Sequence, residues 1–123
     1  MGEFTILVVD DEEEFVSTLV HRLRKRGWAS EGVLTGGAAI ARVAAHDFAV
    51  VLLDMRLPDM DGGQVLLEIK KIRPASRVLI LTGHASASEG EEGLRNGAFD
   101  YLLKPVEFET LLEKLQAAKD CGP

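Results

Sequence analysis

Apolar runs of strand length recur along this chain at Thr5–Val9, Phe48–Leu53, Val78–Leu81 and Tyr101–Leu103, with a weaker one around Ser30–Leu34. A run apolar at nearly every position must be covered on both faces, and parallel strands flanked by helices meet that demand. Helical spacing fills the intervals: Phe15, Val16, Leu19, Val20 and Leu23 form one stripe, and Val65, Leu66, Ile69 and Ile72 a second. Phe108, Leu111, Leu112 and Leu115 form a third, Gly36–Ala45 is an Ala-rich fourth, and Ala87–Asn96 is a poor fifth. Stops fall at Gly27, Pro74 and Gly97. Five strand-then-helix units imply a doubly wound parallel α/β sheet, because right-handed crossovers place helices on both faces. Strands one, three and four are the most apolar and belong inside the sheet. "WASEGVL", with Ser30 and Glu31, suits an edge.

The 123 residues fit one domain spanning 1–123, with 118–123 ("AKDCGP") as a tail or the start of a linker. A net charge of −6 argues against direct nucleic-acid or membrane binding by this domain. The lone Cys121 cannot form an internal disulfide. No apolar run reaches the roughly 18 residues of a membrane span, and the expected location is cytoplasmic.

Polar residues gather where the strands end: Asp10 and Asp11 after strand one, Asp54 after strand three, Thr82 after strand four and Lys104 after strand five. In open α/β sheets, sites form beyond the carboxyl ends of the strands. Any one of these residues has an ordinary explanation as a helix cap or an edge charge. Their convergence on one edge does not.

The stretches "ILVVDDE", "VVLLDMRLPDMDG", "VLILTGH" and "GAFDYLLKP" resemble the receiver domain of two-component response regulators, over essentially the whole chain. The resemblance implies a flavodoxin-like sheet of order 2-1-3-4-5 with five helices. It also implies a phosphorylation-dependent signalling switch in which Asp54 accepts a phosphoryl group from a histidine kinase. Asp10, Asp11, Asp54 and the backbone carbonyl of Arg56 would hold Mg²⁺ or Mn²⁺. Thr82 and Lys104 would bind the phosphoryl group, and Tyr101 would be the switch aromatic on a surface formed by helix four, strand five and helix five. Arg56, Gly83 and His84 occupy positions that would modulate the phosphoryl lifetime. The implied partners are a sensor histidine kinase or phosphotransfer protein, an output domain or effector, and a second copy in a phosphorylation-dependent homodimer.

The residue types suit that chemistry on their own terms. A carboxylate can act as a covalent nucleophile, and a divalent cation would offset the repulsion between clustered acids and a phosphoryl group. A lysine and a hydroxyl suit the charge developing on the equatorial oxygens. The domain would contribute to its own phosphorylation and to acyl-phosphate hydrolysis without being a conventional enzyme. Three rivals stand beside this reading. An FMN carrier needs a Ser/Thr/Gly-rich phosphate cradle after strand one, where this chain has acids. An aspartyl-nucleophile phosphatase of the haloacid dehalogenase type carries its nucleophile after strand one and usually a cap insertion. A receiver-like protein-binding module would never turn over phosphate.

Glu12, Glu13 and Glu14 are read as first-turn helix charges, favoured by the helix dipole, and His21 and His46 as surface residues. "LPDMDGGQVLLE" matches a calcium loop except at its first position, Leu57, and Pro58 to Gly62 is read as a tight turn. Gly90 and Gly93 each cost about 1 kcal/mol in a helix interior. Helix four is therefore expected to be the least stable, and alanine at both sites to stiffen it. Asp10, Asp11 and Asp54 are expected to repel one another in the metal-free fold.

Overall fold

A computed structural model describes residues 4–83 and 87–121, with backbone alone at Ala87. The elements run β1 (Thr5–Val9), α1 (Glu13–Lys25), β2 (Ala29–Val33), α2 (Gly36–Ala45), β3 (Val50–Asp54), α3 (Gly62–Ile72), β4 (Arg77–Thr82), α4 (Ala87–Arg95), β5 (Asp100–Leu103) and α5 (Phe108–Asp120). The five strands form one parallel sheet in the order β2-β1-β3-β4-β5. This is the expected topology, with β1, β3 and β4 inside and β2 at an edge.

Alternation along the inner strands divides the core. Ile6, Val8, Val50, Leu52, Leu79 and Leu81 point to the face covered by α1 and α5, meeting Val16, Leu19, Leu23, Leu111 and Leu115. Leu7, Val9, Val51, Leu53, Val78 and Ile80 point to the opposite face, meeting Ala39 and Val43 of α2 and Val65, Leu66 and Ile69 of α3. Every β1, β3 and β4 residue in these sets is fully buried, which is why the sequence shows runs instead of alternation.

Helix ends follow the expected signals. Gly27 and Gly97 adopt positive φ (86° and 108°) just past α1 and α4, a backbone conformation that glycine adopts without strain. Several boundaries shift by one or two residues from the sequence reading, and Asp54 and Thr82 are the last residues of β3 and β4 instead of following them. Phe48 lies before β3 and not in it, buried among the α2–α3 side chains with its carbonyl accepting the Ser76 hydroxyl at 2.7 Å. Residues 118–120, expected in the tail, form the last turn of α5, and Ala118 is buried in the core.

The expectation for α4 needs a larger correction. A Cβ at Gly93 would stand 1.9 Å from Ile80 Cδ1, and one at Gly90 would stand 2.4 Å from the Tyr101 ring. Both glycines are therefore packing residues. They let the α4 backbone approach β4 and β5: alanine at 90 would collide with the base of the Tyr101 ring, and alanine at 93 would displace the Cδ1 end of the fully buried Ile80.

Candidate phosphoacceptor site

Strand register builds the site. Val9 pairs with Leu53, so Asp10 and Asp54 are next in line on adjacent parallel strands. Asp54 pairs with Leu81, which places Thr82 one residue beyond it, and Thr82 pairs with Leu103, which places Lys104 one further. Main-chain hydrogen bonds carry the pairing past the strand ends: Met55 N–H donates to Leu81 O at 3.3 Å and Lys104 N–H to Thr82 O at 2.8 Å.

Asp10, Asp11 and Asp54 each offer a carboxylate oxygen, and these atoms lie within 4.8 Å of one another. Such a hard-oxygen set suits Mg²⁺ or Mn²⁺. Asp10 is fully buried, Asp54 nearly so, and Asp11 is exposed. The cluster is not three bare charges. Lys104 Nζ sits 2.6 Å from Asp10 Oδ2, 3.6 Å from Asp54 Oδ2 and 3.5 Å from Glu12 Oε1, with Phe15 beneath it at 5.1 Å. Burial alone would lower the Lys104 ammonium, but the hydrogen bond and charge of Asp10, with the charges of Asp54 and Glu12, hold it above the usual lysine range. The repulsion expected from sequence is thus partly offset within the chain.

Asp10 also accepts the Glu12 N–H at 3.0 Å. Asp54 is pushed above the ordinary aspartate range, chiefly by burial and further by the Asp10 and Asp11 charges. The Arg56 N–H, donating at 3.2 Å, and the Lys104 charge oppose that rise. The Thr82 side chain is buried, and its hydroxyl donates to the Gly83 carbonyl at 3.0 Å. Gly83 is half-buried, with open space where a Cβ would stand. Tyr101 is half-buried against the α2–α3 side of the core. His84 lies outside the described residues.

After Asp54 the chain turns tightly. Arg56 and Asp61 form an antiparallel bridge, and Gly62 N–H donates to Met55 O at 3.1 Å. A Cβ on Gly62 would come within 2.5 Å of Met55 Cα, so only glycine admits this closure. The expected turn is present, and Asp59 has a role that the sequence reading missed. Its carboxylate accepts the Gly36 and Gly37 N–H groups at 2.8 and 2.9 Å, tying the loop after the candidate acceptor to the start of α2. A local signal existed, since α2 has no acidic residue in its own first turn, but the partner lies 23 residues away in sequence. Glu12 was likewise read only as a dipole charge. It is the N-cap residue of α1 and also faces Lys104. Arg56 Nε reaches 3.7 Å from Glu89 Oε2 on α4. His21 and His46 are exposed, as expected. Among the described residues, no helix is long and apolar enough to cross a membrane.

Comparison with known proteins agrees with this geometry. The family model described as "Response regulator receiver domain" matches residues 6–116. The transcriptional regulatory protein ZraR of Salmonella typhimurium is 40% identical over 117 residues, covering 95% of this chain and 26% of that protein. The transcriptional regulatory protein CutR of Streptomyces coelicolor is 38% identical over 112 residues, covering 91% of this chain and 52% of that protein. The chain thus spans about a quarter to a half of these curated relatives. Among solved structures, a CheY-like receiver domain protein from Methanospirillum hungatei superposes with a TM-score of 0.86 at 31% identity, covering 98% of this chain and all of that one. With a family match over nearly its whole length and the sheet order that the resemblance implies, the chain belongs to the response regulator receiver domain family.

Proposed function

We propose that this domain is a phosphorylation-dependent switch with Asp54 as its phosphoacceptor. The observation that carries this reading is the Asp54 carboxylate at a sheet edge, within 4.8 Å of the Asp10 and Asp11 carboxylate oxygens and 3.6 Å from Lys104 Nζ. Asp10, Asp11, Asp54 and the Arg56 carbonyl are the groups that would hold Mg²⁺ or Mn²⁺. Such a cation supplies charge neutralisation for the phosphoryl oxygens. An Asp54 carboxylate oxygen attacks phosphorus, an O–P bond forms, and the P–N bond of the donor phosphohistidine breaks. The donor imidazole leaves and the phosphoryl group stays on Asp54 as an acyl phosphate, which water later hydrolyses. Lys104 exchanges its bond with Asp10 for one with a phosphoryl oxygen, and the Thr82 hydroxyl turns from the Gly83 carbonyl to donate to another. Arg56, Gly83 and His84 border this path and would influence the hydrolysis rate.

The partner in this reading is a cytoplasmic sensor histidine kinase or phosphotransfer protein. A groove of about 550 Å³ beside the site, lined by Glu12, Phe15, Thr18, Leu19, Arg22 and Phe108 among others, gives a donor room to approach Lys104 and the acids. Residues 1–123 would act as one receiver unit. The relatives that it spans only in part carry names as transcriptional regulatory proteins. The test is intact-mass measurement after incubation with acetyl phosphate and Mg²⁺. One phosphoryl adduct is expected on the parent, none without metal, and none on Asp54→Asn. Undiminished labelling of Asp54→Asn would end the assignment.

A further inference from the structure

Gly90 lies in the middle of α4 and is buried. The three atoms nearest to a Cβ placed on it all belong to one ring: Tyr101 Cδ2 and Cγ at 2.4 Å and Cδ1 at 2.8 Å. The Tyr101 ring therefore rests directly on the helix backbone, and it does so from β5, where Tyr101 pairs with Ile80. Separations of 2.4 Å are about 1 Å below ordinary carbon–carbon contact. Ring Cγ sits one bond from Cβ, so the ring cannot make that room by flexing at its tip. Either Tyr101 changes rotamer or α4 moves away from β5. Gly93, one turn further along, would instead meet Ile80 and Ala98, so the Tyr101 contact is particular to position 90.

We propose that Gly90 is the positioning residue for Tyr101, the seat that lets its ring lie half-buried against α4 and so makes the ring's rotamer and the placement of α4 a single coordinate. A residue with a side chain at 90 would uncouple them by driving the ring out or the helix away. The consequence for signalling rests on the phosphoacceptor reading, whereas the seat itself stands on packing alone. If phosphorylation at Asp54 biases Tyr101, Gly90 is where that bias reaches α4. Where that bias favours the seated ring, a substitution that expels the ring must by linkage weaken phosphoryl-analogue binding at the distant site.

The experiment is a thermodynamic cycle with a spectroscopic arm. Gly90→Ala, Tyr101→Ala and the double variant are compared by urea midpoint. Gly90→Ala is expected to lower the midpoint of the parent and to raise it in the Tyr101→Ala background, where no ring opposes the better helix former. Tyr101→Phe keeps the ring and should keep the penalty. Tyr101 is the sole tyrosine, so 3-fluorotyrosine labelling gives one ¹⁹F resonance. Gly90→Ala should move it toward the value in unfolded protein and enlarge its H₂O/D₂O shift. Equal midpoint changes in both backgrounds with an unmoved resonance would overturn the seat. If Gly90→Ala fails to fold, refolding of the double variant supports the seat, and failure of both contradicts it. Adding Mg²⁺ and beryllofluoride to the labelled parent separates the two readings. A cycle that changes sign while the parent resonance ignores beryllofluoride keeps the seat and removes its signalling role.

Discussion

Helices α3 and α4 cover the same face of the sheet, yet they are held to it by opposite means. α3 inserts Val65, Leu66 and Ile69, all fully buried. Each such side chain stabilises by about 1.5–3 kcal/mol. At its far end, the Arg73 guanidinium donates to the Val43 and Ala44 carbonyls of α2 at 3.0 and 3.4 Å. Among the described side-chain positions of α4, the buried ones are Gly90 and Gly93, and its Leu94 is 40% exposed. α3 is anchored by side chains, and α4 by the close approach of a bare backbone. Side-chain anchoring makes an element part of the global fold. Backbone approach removes little apolar area from water, so such an element opens or shifts at low free energy. The two helices flank the strands that carry Asp54 and Thr82, which gives the site one rigid neighbour and one movable one.

The largest effect expected from this contrast is at Leu66. Leu66→Ala leaves a cavity between α3 and the sheet and should lower the stability of the whole domain by about 2–5 kcal/mol in urea melts. A loss below about 1 kcal/mol would mean that α3 is not the anchored member of the pair. Gly93→Ala comes next. The added methyl meets Ile80 Cδ1, and overpacking should cost about 1–3 kcal/mol against about 1 kcal/mol gained in helix propensity. The variant should be net destabilised, and shortening Ile80 to Val should recover much of the loss. A stabilised Gly93→Ala would break the comparison, because α4 would then be weak by propensity and not close by design of its packing.

The smallest expected effect concerns Asp59 at the entrance to α3. The Gly37 and Gly36 N–H groups hold its carboxyl below the ordinary aspartate range. A lowered folded-state value contributes stability that is present above the unfolded value, about 3.9, and is lost as pH falls through the folded one. Urea midpoints of the parent should therefore fall more steeply below about pH 4 than those of Asp59→Asn, with the variant the less stable of the two at pH 7. Parallel pH profiles would show that the Asp59 tether contributes nothing to the α2–α3 side.

How much of this was legible beforehand follows from the range of each interaction. β1, β3 and β4 were readable because two-sided burial writes itself into consecutive residues. The convergence of Asp10, Asp54, Thr82 and Lys104 was readable because parallel strands of similar length end on one edge. The bond from Lys104 to Asp10 was not, since it spans 94 residues and depends on how far each strand end projects. The glycines of α4 were seen but misread. Helix propensity is a property of the local chain, while the meaning of Gly90 and Gly93 lies in Tyr101 and Ile80 on neighbouring strands. Asp59 was hidden for the same reason, its partners being two backbone amides of another helix.

The central claim is that a phosphoryl group on Asp54 is read out through the movable helix and not the anchored one. Hydrogen exchange followed by mass spectrometry, with and without Mg²⁺ and beryllofluoride, tests it most directly. The account predicts slow exchange in α3 that the phosphoryl analogue leaves unchanged, faster exchange in α4 that the analogue alters several-fold, and no change in either helix for Asp54→Asn. An equal response in α3 and α4, or an α4 response that survives Asp54→Asn, would contradict it.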